Sequence, residues 1–294
     1  MSLSLVEWLH VGRYEYVEEI LEDINELGIT RLRTGISWAD WHLPTGREWY
    51  EWLIPKLAQH VEILPCITYT PPTLGIAPST AAPPRRLQDY ADFVDVVLDE
   101  FGHYFEWVEL WNEPNNRMDW DFFLDPDWSK FCEMVGKAAY WAQHRGKKTV
   151  LGGMSPVDPD WITLVGEQGL LEWIDVVGLH GFPGTWDVGE WQGWEKLITV
   201  VLDAISPYNK ESEIWITEVG ASSFCVSPAD QEKIFNEAIS APCSRVYWYS
   251  LRDLHPELPT QEGLWVDERH YHFGFKTFNG RPKKNLTCFM KQVR

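Results

Sequence analysis

The sequence predicts an α/β fold, a single (β/α)8 or TIM barrel that spans residues 1–294 as one domain. Segments typical of strands alternate with segments typical of helices in eight pairs of similar size. No Gly/Ser-rich linker or low-complexity segment divides the chain. The length of 294 residues suits a fold that commonly takes about 250 residues. An open doubly wound sheet is the alternative, but no glycine-rich phosphate-binding turn follows the first strand.

The first half of the chain contains four strand and helix pairs. The apolar residues of the first helix recur with helical spacing, and Gly28 is placed to end it. A loop at 70–84 carries five prolines, which excludes a regular element there. Strands are predicted at 3–10, 31–38, 61–69 and 107–112, and helices at 14–27, 49–59, 87–101 and 128–144.

The second half repeats this alternation and then departs from it. Ser227 is a plausible N-cap for the helix that follows the seventh strand. A long excursion at 251–284 separates the eighth strand from a closing helix, and the pair Asn279-Gly280 predicts a small hairpin within it. Strands are predicted at 149–154, 174–180, 213–218 and 245–250, and helices at 161–171, 194–205 and 228–239.

Composition narrows the class of ligand. The formal net charge of -19 disfavours nucleic acid and anionic lipid surfaces as partners. No apolar run approaches the roughly 18 residues that span a bilayer, and the N-terminus lacks the basic and then apolar pattern of a secretion signal. We therefore expect a cytoplasmic protein, although a signal peptide removed before maturation would leave the same pattern. The 18 tryptophans suggest a carbohydrate ligand, because aromatic faces stack on sugar rings; core packing is the alternative for any one of them.

The cysteines give no sign of a disulfide framework or a metal site. They are odd in number and widely scattered, without the close pairs that chelate zinc. We interpret them as reduced core thiols and expect no cofactor. The five are Cys66, Cys132, Cys225, Cys243 and Cys288.

Candidate functional residues gather at the predicted carboxyl ends of strands, where barrel enzymes carry their chemistry. Glu113 and Glu218 end the fourth and seventh strands, so they could face each other across the barrel mouth. Glycoside cleavage needs such a pair, one carboxyl group to protonate the leaving oxygen and one to attack or stabilise the sugar carbon. The other candidates at strand ends are Arg33, Trp38, Tyr69, Asn112, His180, Trp248 and Tyr249.

Two short motifs resemble those of glycoside hydrolase clan A. The segment 111–115 reads Trp-Asn-Glu-Pro-Asn and is similar to the strand-four motif of that clan, and 216–220 reads Ile-Thr-Glu-Val-Gly, similar to its strand-seven motif. The order of the motifs and their strands agree with the clan, and the resemblance covers essentially the whole chain. It is closest to family 39 and its β-xylosidases, although the accessory β-sandwich of those enzymes is missing; families 5 and 53 are alternatives.

The resemblance implies roles for individual residues. Glu113 would be the general acid/base and Glu218 the nucleophile of a retaining mechanism. Asn112 would donate to the sugar 2-hydroxyl, Arg33 would hold the nucleophile ionised, and His180 would lie near the nucleophile and the sugar.

The remaining substrate-binding candidates are aromatic. Trp248 resembles the strand-eight platform beneath the sugar that is cleaved, and the segment 273–283 resembles the short hairpin before the clan's last helix. Aromatic residues near other strand ends could line sugar subsites, namely Tyr14, Trp38, Trp41, Tyr69 and Trp186.

Three alternatives to a retaining hydrolase follow from the same sequence. A carbohydrate-binding barrel without turnover would share the tryptophan content, and a transglycosylase would share the covalent intermediate. A metal-dependent barrel hydrolase would use histidines, and His270 and His272 alternate as on one face of a strand with Asp267 nearby. We do not favour that site, because no third histidine accompanies the pair and a hairpin face explains the spacing.

Overall fold

The computed structural model describes residues 4–189, 191–258 and 267–284. Eight strands, each parallel to its neighbours, close into a barrel in chain order, with the first strand paired to both the second and the eighth. The fold is therefore the (β/α)8 barrel that the alternation of segments predicts. The strands are β1 (Ser4–Val6), β2 (Arg31–Ser37), β3 (Glu62–Thr68), β4 (Trp107–Leu110), β5 (Lys148–Met154), β6 (Val176–Gly181), β7 (Glu213–Val219) and β8 (Val246–Tyr249).

The helices form the outer layer, and their ends follow the local sequence signals. Gly28 adopts the left-handed conformation at the end of the first helix, with φ of 68°, and the Ser227 side chain accepts the Asp230 amide at the start of the last. The α-helices are α1 (Tyr14–Leu27), α2 (Trp38–Trp41), α3 (Gly46–Leu57), α4 (Gln88–Phe101), α5 (Ser129–His144), α6 (Pro159–Glu167), α7 (Trp194–Ile205) and α8 (Pro228–Ile239).

Some predicted boundaries shift. The short helix α2 was not expected, and α3 begins three residues before the predicted start and retains Pro55 in its interior. Residues Glu268–His272 form a 3-10 helix rather than a strand face, so His270 and His272 are not displayed side by side as an alternating strand would show them. The closing helix expected after Lys284 lies outside the described residues.

The lower part of the barrel is filled by side chains that alternate along the strands. Seven strands contribute one buried residue each to this layer, namely Val6, Leu64, Trp107, Val150, Val176, Trp215 and Tyr247. The guanidinium of Arg245 packs on this layer, with its central carbon 4.2 Å from the Trp215 ring centroid. Side chains therefore fill the lower end of the barrel interior.

A larger apolar cluster, formed by residues of the strands and of the helices, packs the helices onto the barrel. Many of the tryptophans belong to it, so their number reflects packing more than ligand binding. The largest fully buried side chains include Trp49, Trp111, Trp120, Trp194, Trp215 and Trp248.

The excursion after β8 is held to the barrel by charge. Arg252 and Lys276 both bind Asp23 of α1, at 2.7 and 2.6 Å. The predicted turn is present, because Gly280 has a φ of 79° and Lys276 bridges to Pro282 in antiparallel fashion. The described parts of the excursion, 251–258 and 267–284, are therefore attached to α1 by these ion pairs.

Two further expectations concern exposure. Cys66 and Cys132 are buried thiols, but Cys225 is exposed and Cys243 only half-buried, so the expectation of core thiols fails for these two because they lie in loops. Among the described residues, the helices are all too short or too polar to cross a bilayer.

Candidate active site

Glu113 and Glu218 meet at the upper end of the barrel. One carboxylate oxygen of each residue and a ring nitrogen of His180 lie within 4.8 Å of one another. Glu218 is 5% exposed and Glu113 is partly open to the mouth. The two strand-end carboxylates that are far apart in sequence therefore form one compact pair.

A bulge orients Glu218 toward the interior. The register between β6 and β7 runs from Leu179 opposite Ile216 to His180 opposite Glu218, which leaves Thr217 as an additional residue. Such an insertion bends a strand and changes the face that later residues show. Trp215 already faces the interior, and the bulge lets Glu218 do so as well, beside His180 on the neighbouring strand.

Glu113 is placed by a turn directly after β4. Trp111 and Glu113 have φ values of 71° and 34°, in the left-handed region that costs non-glycine residues about 1–2 kcal/mol. The turn is held by a hydrogen bond from the Trp111 indole to the Asp119 carbonyl, at 2.9 Å. It also needs Gly152, since a side chain there would lie 2.0 Å from the Trp111 carbonyl oxygen.

Arg33 connects the nucleophile candidate to the interior of the barrel. Its guanidinium is fully buried and donates to Glu218 at 2.5 Å and twice to Glu109, at 2.5 and 3.0 Å. A further donation, at 2.8 Å, goes to the side-chain oxygen of Asn112. One cation therefore serves two carboxylates and fixes the amide of Asn112 with its nitrogen directed away from Arg33.

Glu113 is held by neutral groups instead of a cation. The Asn116 amide donates to one oxygen at 2.7 Å, and the Ser155 hydroxyl donates as well. Burial raises the pKa of Glu113 to about 6, against the lowering effect of these donors and of the more distant Arg33. A carboxyl group in this environment keeps its proton at weakly acidic pH.

The pKa of Glu218 does not follow the expectation that Arg33 lowers it. Burial raises the pKa of Glu218, and the negative charges of Glu113 and Glu109 add to this, while His180 and Arg33 oppose it. The physical reason is that burial is the largest effect on this carboxyl group and outweighs the charge of Arg33. Because only Glu218 of the pair is in direct contact with the guanidinium, it is the member that ionises first, and Glu113 retains the shared proton.

His180 lies near both glutamates and is closer to Glu113. Its Nδ1 atom lies 2.9 Å from Glu113 and 3.9 Å from Glu218. Burial lowers the pKa of His180 to about 4, so the ring is neutral at the pH where Glu113 titrates. The ring needs the space of Gly153, since a side chain there would meet it at 2.1 Å.

Aromatic groups form the walls of the site. Tyr69 is half-buried and hydrogen-bonds Asp119. Burial raises the pKa of Tyr69, and the charges of Asp119 and Glu113 raise it further, so Tyr69 lies near the cleft. Burial raises the pKa of Tyr249, and the charges of the nearby Glu218, Glu7 and Glu113 add to this effect. Trp186 and His270 pack together with ring centroids 4.6 Å apart, and His270 is near enough to influence Glu113.

Two predicted substrate-binding residues are corrected. Trp38 is 2% exposed and stacks on Phe93 of α4, so it faces the helix layer. Trp248 is also 2% exposed and stacks on Phe275 at 5.6 Å, outside the barrel. The residue of β8 that faces the cleft is Tyr249, one position later, because successive residues of a strand point to opposite sides.

Tyr14 and Trp41 likewise do not reach the site. Tyr14 packs against Trp49 with ring centroids 5.0 Å apart, and Trp41 packs against Tyr50 at 5.9 Å. Both therefore support the helix layer. Of the aromatic candidates, Tyr69 lies near Glu113, and Trp186 packs on His270, whose charge influences Glu113.

Several residues of the site were not identified from the sequence. Glu109 could have been identified from strand alternation. It follows the inward-facing Trp107 by two residues, so its side chain also faces the interior. No pattern in the sequence identifies Asn116 and Ser155, because their role depends on loops that meet only in the folded chain. The fourth, Asp187, is a half-buried carboxylate in the loop after β6 and is considered below.

The sequence and the fold of this chain were compared with those of known proteins. No protein-family model and no curated protein matches the sequence. A family 39 glycoside hydrolase from the gut symbiont Bacteroides cellulosilyticus WH2 is similar in structure, with a TM-score of 0.70 and 16% identity over 99% of this chain. The chain spans 63% of the length of that protein.

Two other solved structures are similar over the whole of this chain. GH5_18 from Bifidobacterium longum subsp. longum ATCC 55813, solved in complex with Manb1-4GlcNAc, has a TM-score of 0.71 and 13% identity, with 78% of its own chain covered. GH5_18 from Streptomyces cattleya, in complex with GlcNAc, has a TM-score of 0.69 and 13% identity, with 80% covered. The chain therefore shares its TIM-barrel fold with solved glycoside hydrolases.

Proposed function

We propose that the protein is a retaining β-glycoside hydrolase that acts by double displacement. Glu218 attacks the anomeric carbon, and Glu113 protonates the departing oxygen. Glu113, now ionised, then removes a proton from the water that releases the sugar from Glu218. The observation that carries this proposal is the approach of the two carboxylates to within 4.8 Å.

The separation bears on the stereochemical course. Retaining enzymes place the two carboxyl groups about 5–5.5 Å apart, whereas inverting enzymes leave about 6.5–9.5 Å for a water molecule. The closest oxygens here are within 4.8 Å, which supports direct attack by one carboxylate. A water between carboxylate and sugar would need a wider gap.

The hydrogen bonds of the site support the same division of roles. Glu218 is fixed by Arg33, so its attacking oxygen does not have to be oriented during the reaction. Asn112 accepts from Arg33 through its oxygen, and its nitrogen donates one hydrogen to Asp119 at 3.4 Å, so the second hydrogen would serve a sugar 2-hydroxyl. Tyr69 and Tyr249 each lie near the glutamates and would contact the same sugar.

The proposed substrate is a β-linked oligo- or polysaccharide. The motif resemblance to family 39 favours β-xylosidase-like activity. The sugars bound by the two GH5_18 structures also support a carbohydrate ligand for this fold. Transfer to an acceptor sugar instead of water would use the same covalent intermediate and the same two glutamates.

The anomeric configuration of the first product tests the proposal. We expect hydrolysis of an aryl β-glycoside to release the β-anomer first, which proton NMR detects before mutarotation mixes the forms. An initial α-anomer would contradict the retaining mechanism while leaving a hydrolase.

A metal-dependent hydrolase is the second candidate, because Glu113, His180 and Glu218 present one ligand atom each within 4.8 Å of one another. Carboxylate and imidazole are common ligands of divalent ions. Hydrolysis that is unchanged after treatment with a chelator supports the two-glutamate mechanism. Hydrolysis that is lost and then restored by a divalent ion would replace it.

The pH profile should report the proton on Glu113. The pKa of Glu113 is raised to about 6, and the acid form is the one that protonates the leaving group, so kcat/KM should fall as the pH rises above this value. The variant Asn116→Ala removes a donor that favours the ionised form, so its basic limb should move to higher pH.

The variant Glu113→Gln is the control for this assignment. It cannot give up a proton, so we expect the basic limb to vanish and the rate to drop by roughly 10²–10⁴-fold for glycosides with poor leaving groups. The loss should be much smaller for an aryl leaving group that departs without protonation. A basic limb that persists in Glu113→Gln would show that another group titrates.

A further inference from the structure

The loops around one side of the cleft contain no basic residues. The segments 155–158, 182–193 and 220–227, which follow β5, β6 and β7, have neither lysine nor arginine, and the same holds for 253–268 in the excursion. Two of these segments directly follow β6 and β7, the strands that carry His180 and Glu218. A substrate that enters from this side therefore meets no cationic side chain from them.

Among the described residues, two arginines near the site are already paired. Arg33 is enclosed by Glu109 and Glu218. Arg269, in the excursion, contacts Asp267 through two guanidinium nitrogens, at 2.7–3.1 Å, and donates to the Thr185 carbonyl at 2.8 Å. An anionic group on a substrate would have to displace one of these partners to gain a counterion.

Asp187 adds a negative charge to this environment. It lies in a tight turn after β6, where its carboxylate accepts the Phe182 amide at 2.6 Å and its own amide donates back to the Phe182 carbonyl at 3.2 Å. Its side chain borders a cavity of about 240 Å³ that His180 and Gln192 also line. Burial raises the pKa of Asp187, and the nearby charge of Glu113 raises it further.

We infer that Asp187 is a specificity-determining residue, which together with the cation-free loops selects an uncharged sugar at the cleaved position and rejects hexuronates. This inference rests on the proposed function. The chemical class of the substrate is then a neutral pyranoside, such as a hexoside or pentoside, whose hydroxyls can donate to the carboxylates of the site.

The physical reason is the cost of an unpaired charge. The carboxylate of a hexuronate would lose water on entry and would meet the charges of Asp187, Glu113 and Glu218, while Arg33 and Arg269 are already held by other carboxylates. A hydroxymethyl group, or the hydrogen of a pentose at the same carbon, has no such penalty. Discrimination of this kind works through repulsion of the wrong substrate as well as through contacts to the correct one.

The test compares matched substrates in the wild-type protein. We expect kcat/KM for 4-nitrophenyl β-glucoside to exceed that for the β-glucuronide by about 100-fold or more, and the same order for the galactoside and galacturonide pair. In Asp187→Asn, which removes the charge and keeps the shape, the ratio should fall about tenfold because the uronide is cleaved faster.

The control is Asp203→Asn, an exposed change of the same charge on α7, which should leave the ratio unaltered. Uronides cleaved as fast as neutral glycosides by the wild type, or an unchanged ratio in Asp187→Asn, would overturn the inference and leave the hydrolase proposal standing. If uronide cleavage depended on Arg13, in the loop after β1, that residue would be the missing counterion and the inference would also fail. If neither class of glycoside were cleaved, the proposed function itself would be at fault.

Discussion

Replacement of Glu218 by alanine is expected to lower kcat/KM for an activated aryl β-glycoside by roughly four orders of magnitude. The loss should be this large because the variant removes the atom that would form the covalent bond and also leaves Arg33 directed at an empty space. The rate is measured by release of the aryl group, with circular dichroism and thermal melting to establish that the variant is folded.

A small anion gives this prediction its sharpest form. Azide can occupy the space of the missing carboxylate, attack the sugar from the same side and restore release of the aryl group in Glu218→Ala, giving the α-glycosyl azide. Glu213→Ala is a matched control, because Glu213 is an exposed glutamate at the opposite end of the same strand. Activity retained in Glu218→Ala, or lost equally in Glu213→Ala, would contradict the assignment of the nucleophile.

Replacement of Arg33 by methionine is expected to reduce the free energy of unfolding by about 3–5 kcal/mol. The side chain is fully buried and its loss strands Glu109 and Glu218 as two unpaired carboxylates in the barrel interior. Urea denaturation followed by tryptophan fluorescence measures the change. Activity should fall in parallel, since the orientation of Glu218 depends on the same contact.

Arg31 provides the comparison, because it is an arginine on the same strand that pairs with Glu62 at the exposed end of the barrel. We expect Arg31→Met to cost less than about 1 kcal/mol. Adding Glu109→Gln to Arg33→Met should recover part of the stability by removing one stranded charge. If Arg33→Met lowers the free energy of unfolding no more than Arg31→Met does, the contacts of Arg33 with Glu109 and Glu218 contribute little to stability.

The fold could be predicted because its determinants are local. Alternating apolar segments and the breaks between them depend on near neighbours along the chain, as Gly28 and Ser227 show at two helix ends. The short helix α2 was missed for a related reason: Ser37 caps it, but four residues are too few to show a helical repeat. The 3-10 helix at Glu268–His272 has a spacing that resembles a strand when only the two histidines are considered.

The site was predictable where a motif fixes both the residue and the strand end. Glu113 and Glu218 are in this class, and Arg33 follows from its place on the second strand. Trp248 was not, because three aromatic residues in succession at 247–249 hide which face is inward. Trp38 begins α2, and the turn of the chain there carries it away from the mouth. The partners of Glu113 depend on which loops meet across the barrel, and no local pattern encodes that meeting.

The sharing of Arg33 between two carboxylates has a consequence for the catalytic cycle. In the proposed glycosyl-enzyme, Glu218 becomes a neutral ester and no longer balances the guanidinium. Glu109 still does, through two hydrogen bonds that the reaction does not touch. Arg33 therefore never becomes an isolated cation beside the positively charged transition state, and it has no electrostatic reason to move between the two half-reactions. Glu109 would remain the counterion of Arg33 throughout the cycle. Glu218 could therefore lose and regain its charge while the side chains around it stay in place.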